Sequence, residues 1–167
     1  MKKYWPIVLL FFVFVAVVGW YLFRPELIFI NTPVSESHPM LDQTDKPVNA
    51  IMLASGTFTS VAHETNGDAS LLKVGDKIFL RLSDFKTSNG PDIRVYLVEA
   101  PQGTSVSKAI FEKHYLDLGD MKGNIGDQNY EIPSNVDIRK YSVVSIWCRR
   151  FRVNFGEARM KHTKQQG

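Results

Sequence analysis

A chain of 167 residues with one cysteine, Cys148, cannot close a disulfide within itself, which excludes the cysteine-stapled scaffolds of many small secreted domains. It also lacks the signatures of common catalysts: HExxH, CxxC, a phosphate-cradling glycine loop and GxSxG are all missing. SVSK at 105–108 matches S-x-x-K, but its companions SDN and KTG are absent, and 12 serines with 12 lysines give roughly one such match by chance. Beyond the N-terminal apolar run no window carries a helical period, so a helical bundle is excluded as well. Net charge is scarce once it is located. Residues 1–24 hold Lys2, Lys3 and Arg24 with no acid, residues 25–148 hold 11 basic against 16 acidic residues, and residues 149–167 hold 6 against 1. Such a distribution gives no basic face interleaved with aromatics, and no nucleic-acid partner is expected.

What is present begins with YWPIVLLFFVFVAVVGWYLF, residues 4–23, which carries no charge. About 20 helical residues rise roughly 30 Å, the thickness of a bilayer's hydrocarbon core, so one transmembrane helix is expected here. Pro6 falls in the first turn, Pro25 closes the helix, and Tyr4, Trp5, Trp20 and Tyr21 take the two interfaces. A cleaved signal peptide is the alternative, with Val17 and Gly19 as its small-residue site, but the apolar run continues through Phe23. Lys2, Lys3 and the terminal amine outweigh Arg24, which predicts a cytoplasmic N-terminus (residues 1–3) and a single-pass protein of the cell membrane with its domain extracytoplasmic. In that compartment a lone thiol is buried, liganded or joined to another molecule.

Residues 24–50 read as a juxtamembrane segment and Pro-rich linker: ELIFI is short and apolar, and the following NTPVSESHPMLDQTDKPVNA has no period. From residue 51 the pattern becomes short alternating runs between turn residues. GTFTSVAH and ASLLKV flank Asn66-Gly67, a tight hairpin signal. DKIFLRLSDF puts Ile78, Leu80 and Leu82 on one face and Lys77, Phe79 and Arg81 on the other. DIRVYLVEA, YLDLG, QNYEI, YSVVSIWC and FRVNFG follow. These runs predict an all-β domain over 51–157, an antiparallel β-sandwich or small barrel, with a basic C-terminal tail at 158–167 that is solvated or meets an anionic surface.

Within YSVVSIWC, Val144, Ile146 and Cys148 share one face and Val143, Ser145 and Trp147 the other, so the strand is central and the thiol's default is burial. Arg150, on the thiol's face about 7 Å away on an extended strand, would favour thiolate if the chain breaks open at Arg149-Arg150. Both an inert core cysteine and a functional one remain open at this point. His38, His63, His114 and His162 are scattered, and only folding could bring His63 and His114 to Cys148 as a metal site. GDMKGNIGD (119–127) collects Asp120, Asn124 and Asp127, whose oxygens suit either calcium or a turn.

Three stretches, LSDFKTSNGPDIRVYL (82–97), LGDMKGNIGDQNYEIP (118–133) and VVSIWCRRFRVNFG (143–156), resemble in order and spacing the DM-thirteen domain. That family is labelled an electron-transfer domain and occurs in extracellular and membrane-attached proteins, in some animal proteins beside DOMON domains. The resemblance implies that the family's hallmark cysteine is Cys148 and its glycine-rich segment Gly123 to Gly126. It implies a redox role through Cys148, as a bare thiol or as a ligand, with Trp147 packed beside it, of a prosthetic group such as haem. His63, His114 and Met121 are then the available second ligands; no CxxCH attachment motif exists. The expected partners are the membrane, through residues 4–23, and a redox partner. A non-enzymatic surface binding or adhesion module, its turns after residues 86 and 119 presented to a protein or glycan, is the competing reading.

Overall fold

The computed structural model describes residues 4–24, 26, 30–39 and 50–163. The expected cytoplasmic residues 1–3, the helix-closing Pro25, residues 27–29 of ELIFI, linker residues 40–49 and tail residues 164–167 lie outside them.

The apolar run forms helix α1, Trp5–Phe23, with Pro6 in its first turn; Arg24 takes a left-handed conformation at its C-terminus, where its N–H donates to the Trp20 carbonyl at 2.8 Å. The helix is long and apolar enough to cross a membrane, and none of it is buried against the rest of the chain.

The alternating runs become strands β1 (Pro33–Ser35), β2 (Ala50–Ser60), β3 (Asn66–Val74), β4 (Lys77–Lys86), β5 (Ile93–Val98), β6 (Tyr115–Asp120), β7 (Ile125–Ile132), β8 (Val143–Cys148), β9 (Val153–Arg159) and β10 (Lys161–His162). They make one sheet in the order β1-β7-β4-β3-β2-β9-β8-β5-β6, with β10 on β2. Of the two architectures expected, this is the barrel-like one: a single sheet curled into a half-barrel. Its concave side is filled by side chains delivered by the strand period, such as Leu80 and Leu82 of β4, Val95 and Leu97 of β5, and Val144 and Ile146 of β8, all without exposure. Each side chain sealed there contributes about 1.5–3 kcal/mol relative to leaving it in water.

Several local expectations change. Asn66-Gly67 does not form a two-residue turn; the chain reverses over residues 61–65, and Gly67, at φ +108°, makes a bulge where the pairing with β4 slips between Asn66 and Asp68. A short helix α2, Val106–Phe111, also appears, buried through Val106, Ala109 and Ile110 against Tyr96, Val98, Val143 and Trp147 on the convex side of the sheet. Six residues are fewer than two turns, too few to display a period. The SVSK match opens this helix: the Ser105 side chain accepts from the Lys108 N–H at 3.4 Å, as an N-cap does. At the C-terminus the expected tail begins inside the sheet, because Ala158 is buried and β9 and β10 hold one continuous register against β2, from Phe58↔Ala158 to Ala54↔His162.

The largest departure is in the linker. Residues 33–35 are no tether but a strand, β1, running parallel to β7 with Pro33, Val34 and Ser35 opposite Ile125, Gly126 and Asp127. A tight approach makes this possible: a Cβ on Gly123 would lie 2.3 Å from the Thr32 carbonyl oxygen, and one on Gly126 would lie 2.0 Å from that of Val34. Beyond the strand, Glu36 accepts from the Asn129 N–H at 2.6 Å and from Lys122 Nζ at 2.7 Å. The Arg81 guanidinium, 4% exposed, donates to the carbonyls of Glu36 and Ser37 and pairs with Asp127. Arg81 was expected on the outer face of β4. It is there, and the docked segment covers it.

Because the atom that a Gly123 side chain would strike is backbone, Gly123→Ala should push β1 off the sheet. The expected loss is about 1–3 kcal/mol of stability with selective loss of amide-exchange protection on the β7 edge that β1 covers. Unchanged protection there would show that the segment is not held by this approach.

Candidate functional site

Strand β8 separates two apolar compartments, and every residue from Val143 to Cys148 is buried. It pairs with β5 on one side and β9 on the other. Its alternation sends Val144, Ile146 and Cys148 into the half-barrel and Val143 and Trp147 to the convex side under α2. Ser145 cannot join either apolar set without a partner, and it has one in Asn154 Oδ1 at 2.9 Å.

Cys148 ends the strand, opposite Ile93 on β5 and Val153 on β9, with no exposed surface. Burial pushes the thiol's pKa up; the backbone N–H groups of Phe151 and Arg150, just beyond it, pull the other way without prevailing, and the nearby Asp92 carboxylate adds to the rise. The thiol is therefore protonated at neutral pH. Arg150, whose charge also acts to lower the thiol as expected but is the smallest of these influences, is exposed and turns to α1, donating to the carbonyls of Leu22 at 2.8 Å and Tyr21 at 3.4 Å. Phe151 stacks on Phe23 with ring centroids 5.9 Å apart. The turn that covers the sulfur thus rests on the last turn of the apolar helix. Arg149 fixes its other side, with its N–H on the Asp92 carbonyl and its Nε on the Asp92 carboxylate, both at 3.0 Å.

On the convex side Trp147 meets Phe111 edge-on at 5.7 Å, and Tyr96 stacks on Tyr115 at 4.3 Å. These four rings, with Ile110, Lys113, Arg149 and Arg152, line a crevice of about 210 Å³. The Arg152 guanidinium lies over the Phe111 ring, 5.9 Å from its centre. Trp147 and Cys148, adjacent in sequence, therefore open onto different surroundings: an accessible aromatic and cationic crevice for one, a sealed core for the other.

The remaining candidates are not brought to Cys148. His63 stacks on Phe155 at 3.8 Å, His114 faces Glu99 at 3.9 Å, and Met121 packs against the core. Among the described residues no group of three His, Cys, Asp or Glu side chains is placed to hold a metal. Haem ligated by Cys148 does not fit, since the sulfur has no surface from which to reach an iron and lines neither the crevice at Trp147 nor a second one of about 220 Å³ at the helix end, formed by Trp20, Tyr21, Arg24, Glu26 and Arg150. The oxygens of GDMKGNIGD are also committed. Asp120 pairs with Arg94, and Asp127 with Arg81 and the Asp84 N–H; Asn124 accepts from the Thr32 N–H at 2.7 Å and donates to the Thr87 carbonyl at 3.1 Å. That loop is the seat of β1.

Sequence reasoning passed over Gln128, fully buried, which accepts from the Tyr130 hydroxyl at 2.6 Å and donates to the Gly123 carbonyl at 2.9 Å, fixing the loop that receives β1. It also passed over the Tyr96–Tyr115 stack. No local signal reveals a partner 19 positions away.

Compared with known families, the chain matches over residues 57–160 the family model described as electron transfer DM13, and it belongs to that family. No curated protein and no solved structure matches it.

The raised thiol fixes a sign for alkaline stability. Below about pH 8.5, the ordinary thiol value, folded and unfolded chains both keep the proton. Above it the unfolded chain releases the proton first, so stability falls as pH rises toward the folded pKa. Tyr96 and Tyr130, also raised by burial, act the same way from roughly pH 10. Denaturant melts between roughly pH 8.5 and 10 should show this decline, with a shallower slope in Cys148→Ala; identical slopes would mean the thiol titrates alike in both states.

Proposed function

We propose that this member of the electron transfer DM13 family is a membrane-anchored electron-transfer domain displayed on the extracytoplasmic side, with Cys148 as its redox-active group. The observation that carries the reading is the place of the sulfur: it lies directly under a turn, Arg149 to Arg152, that is itself seated on the end of α1. A protonated, sealed thiol is a poor nucleophile and a poor ligand, because the thiolate does both tasks. Exchange therefore proceeds from an open state in which the turn lifts, the burial penalty falls, and the N–H groups of Phe151 and Arg150 favour the thiolate, which attacks a disulfide of the redox partner: a mixed disulfide forms on Cys148, the partner's S–S bond breaks, and its second sulfur leaves as thiolate. Such local openings are drawn from the less stable parts of a fold, and a reactive site reached only by opening responds in proportion to the open fraction. Cofactor chemistry is not needed for this reading. A redox partner engaging the turn would have to work close to the membrane surface.

The complete burial of Cys148 also favours a second reading, a non-enzymatic surface binding module in which the cysteine is core and the crevice at Trp147 is the contact site.

Thiol labelling of the full chain in detergent separates the two. If the turn is the gate, Arg150→Ala with Phe151→Ala should speed alkylation of Cys148 about tenfold or more while the global unfolding midpoint moves little. Mixed-disulfide formation with oxidised glutathione should rise in the same variant and be absent from Cys148→Ser. Labelling that tracks only global unfolding, with no mixed disulfide formed by the folded parent chain, would leave the binding module.

A further inference from the structure

The crevice at Trp147 is unused by the thiol chemistry, and its surroundings match a specific class of ligand. Its rim carries Lys113, Arg149 and Arg152, and Arg150 stands next to it on the same turn. Of the nearby acids, Asp92 pairs with Arg149 through its Nε and offsets that one charge, while Glu112 faces Lys108 at 3.8 Å and leaves Lys113 and Arg152 to the crevice. Two large rings beside these cations are left in solvent, Phe111 at 55% and Phe151 at 46% exposure. A water-soluble anion would account for the cations but not for the phenyl rings. Position supplies the rest, because Phe151 stacks on Phe23 and Arg150 grips the Tyr21 and Leu22 carbonyls, which puts the crevice beside the C-terminal end of α1, where Trp20 and Tyr21 also lie. In a membrane-anchored chain that is the level of the lipid headgroups, where aromatic rings and snorkelling cations both settle.

We infer that the crevice between α2 and the β8–β9 turn binds an anionic phospholipid of the anchoring membrane, its headgroup phosphate held by Lys113, Arg149 and Arg152 and its upper acyl carbons covered by Phe111 and Phe151. The inference rests on the membrane reading of α1 but not on the redox role of Cys148. Its consequence is orientation: the lipid fastens the convex face of β5 and β8 to the membrane plane and leaves the opposite edges of the sheet facing away.

The test uses the full chain in lipid nanodiscs, neutral phosphatidylcholine against discs containing increasing phosphatidylglycerol, with amide exchange of residues 106–113 and 147–153 as the readout. Protection of both segments should rise with the phosphatidylglycerol fraction. Arg149→Ala with Arg152→Ala should weaken the lipid response by about fivefold per arginine removed, while β3 and β4 exchange as in the parent chain and so report an intact fold. A response equal in the variant, or none in the parent, overturns the inference. So does equal protection from inorganic phosphate added to neutral discs, which would mark a free-anion site. Extraction of the chain by alkaline carbonate would instead remove the membrane reading itself, an outcome separate from an integral chain that ignores lipid charge.

Discussion

The contact on which the arrangement depends is backbone against backbone: the stretch from Thr32 to Ser35 laid along β7 at a separation that only glycine at 123 and 126 permits. Once the segment lies there it shields Arg81 from water, and a guanidinium so covered has to be paired and hydrogen-bonded throughout. Asp127, Asn129, Ser83 and the carbonyls of Glu36 and Ser37 meet that requirement, so the strand and the charge network stabilise each other. The glycine-rich segment that looks like a ligand loop in the sequence is, in three dimensions, the socket for the chain leaving the helix. Among the described residues of the expected linker a short strand is thereby docked on the domain, and a second contact runs from the β8–β9 turn to the helix end.

That second contact gives β8 its character. A strand apolar on both faces is ordinarily just a central strand. Here one face closes the core with the sulfur and the other supplies the floor of an aromatic crevice, so adjacent buried residues take different tasks: Cys148 fills the core and Trp147 underlies the crevice. The energetic balance at Cys148 is a contest of burial against local N–H dipoles, and burial prevails as long as the turn is seated.

Much of this was legible in the sequence. The strand period alone grouped Leu80 with Leu82, and Val144 and Ile146 with Cys148 on the face opposite Trp147, the groupings the core adopts, and the charge-free run identified α1. What escaped depended on partners distant in the chain. The burial of Arg81 requires residues 44 to 48 positions away; β1 is three residues long and begins with proline; and α2 is too brief for its period to register. Asn66-Gly67 misled for a related reason, since the glycine's positive φ was read correctly but serves a bulge against β4, a demand set by the neighbouring strand. The family's cysteine and glycines were both visible as residues. Their settings, one sealed and the other a socket, were not.

The place of β9 and β10 carries an implication for biosynthesis. Strand β2 joins β3 on one flank, while its other flank is completed only by Gly156 to Ala158 and by Lys161 and His162, near the far end of the chain. The two halves of the half-barrel are therefore not hydrogen-bonded to each other along β2 until these residues are made, and a nascent polypeptide exposes that flank of β2 until His162 has emerged. Any helper that attends this protein during synthesis would meet it in that interval, with its first helix already made and its sheet still in two pieces.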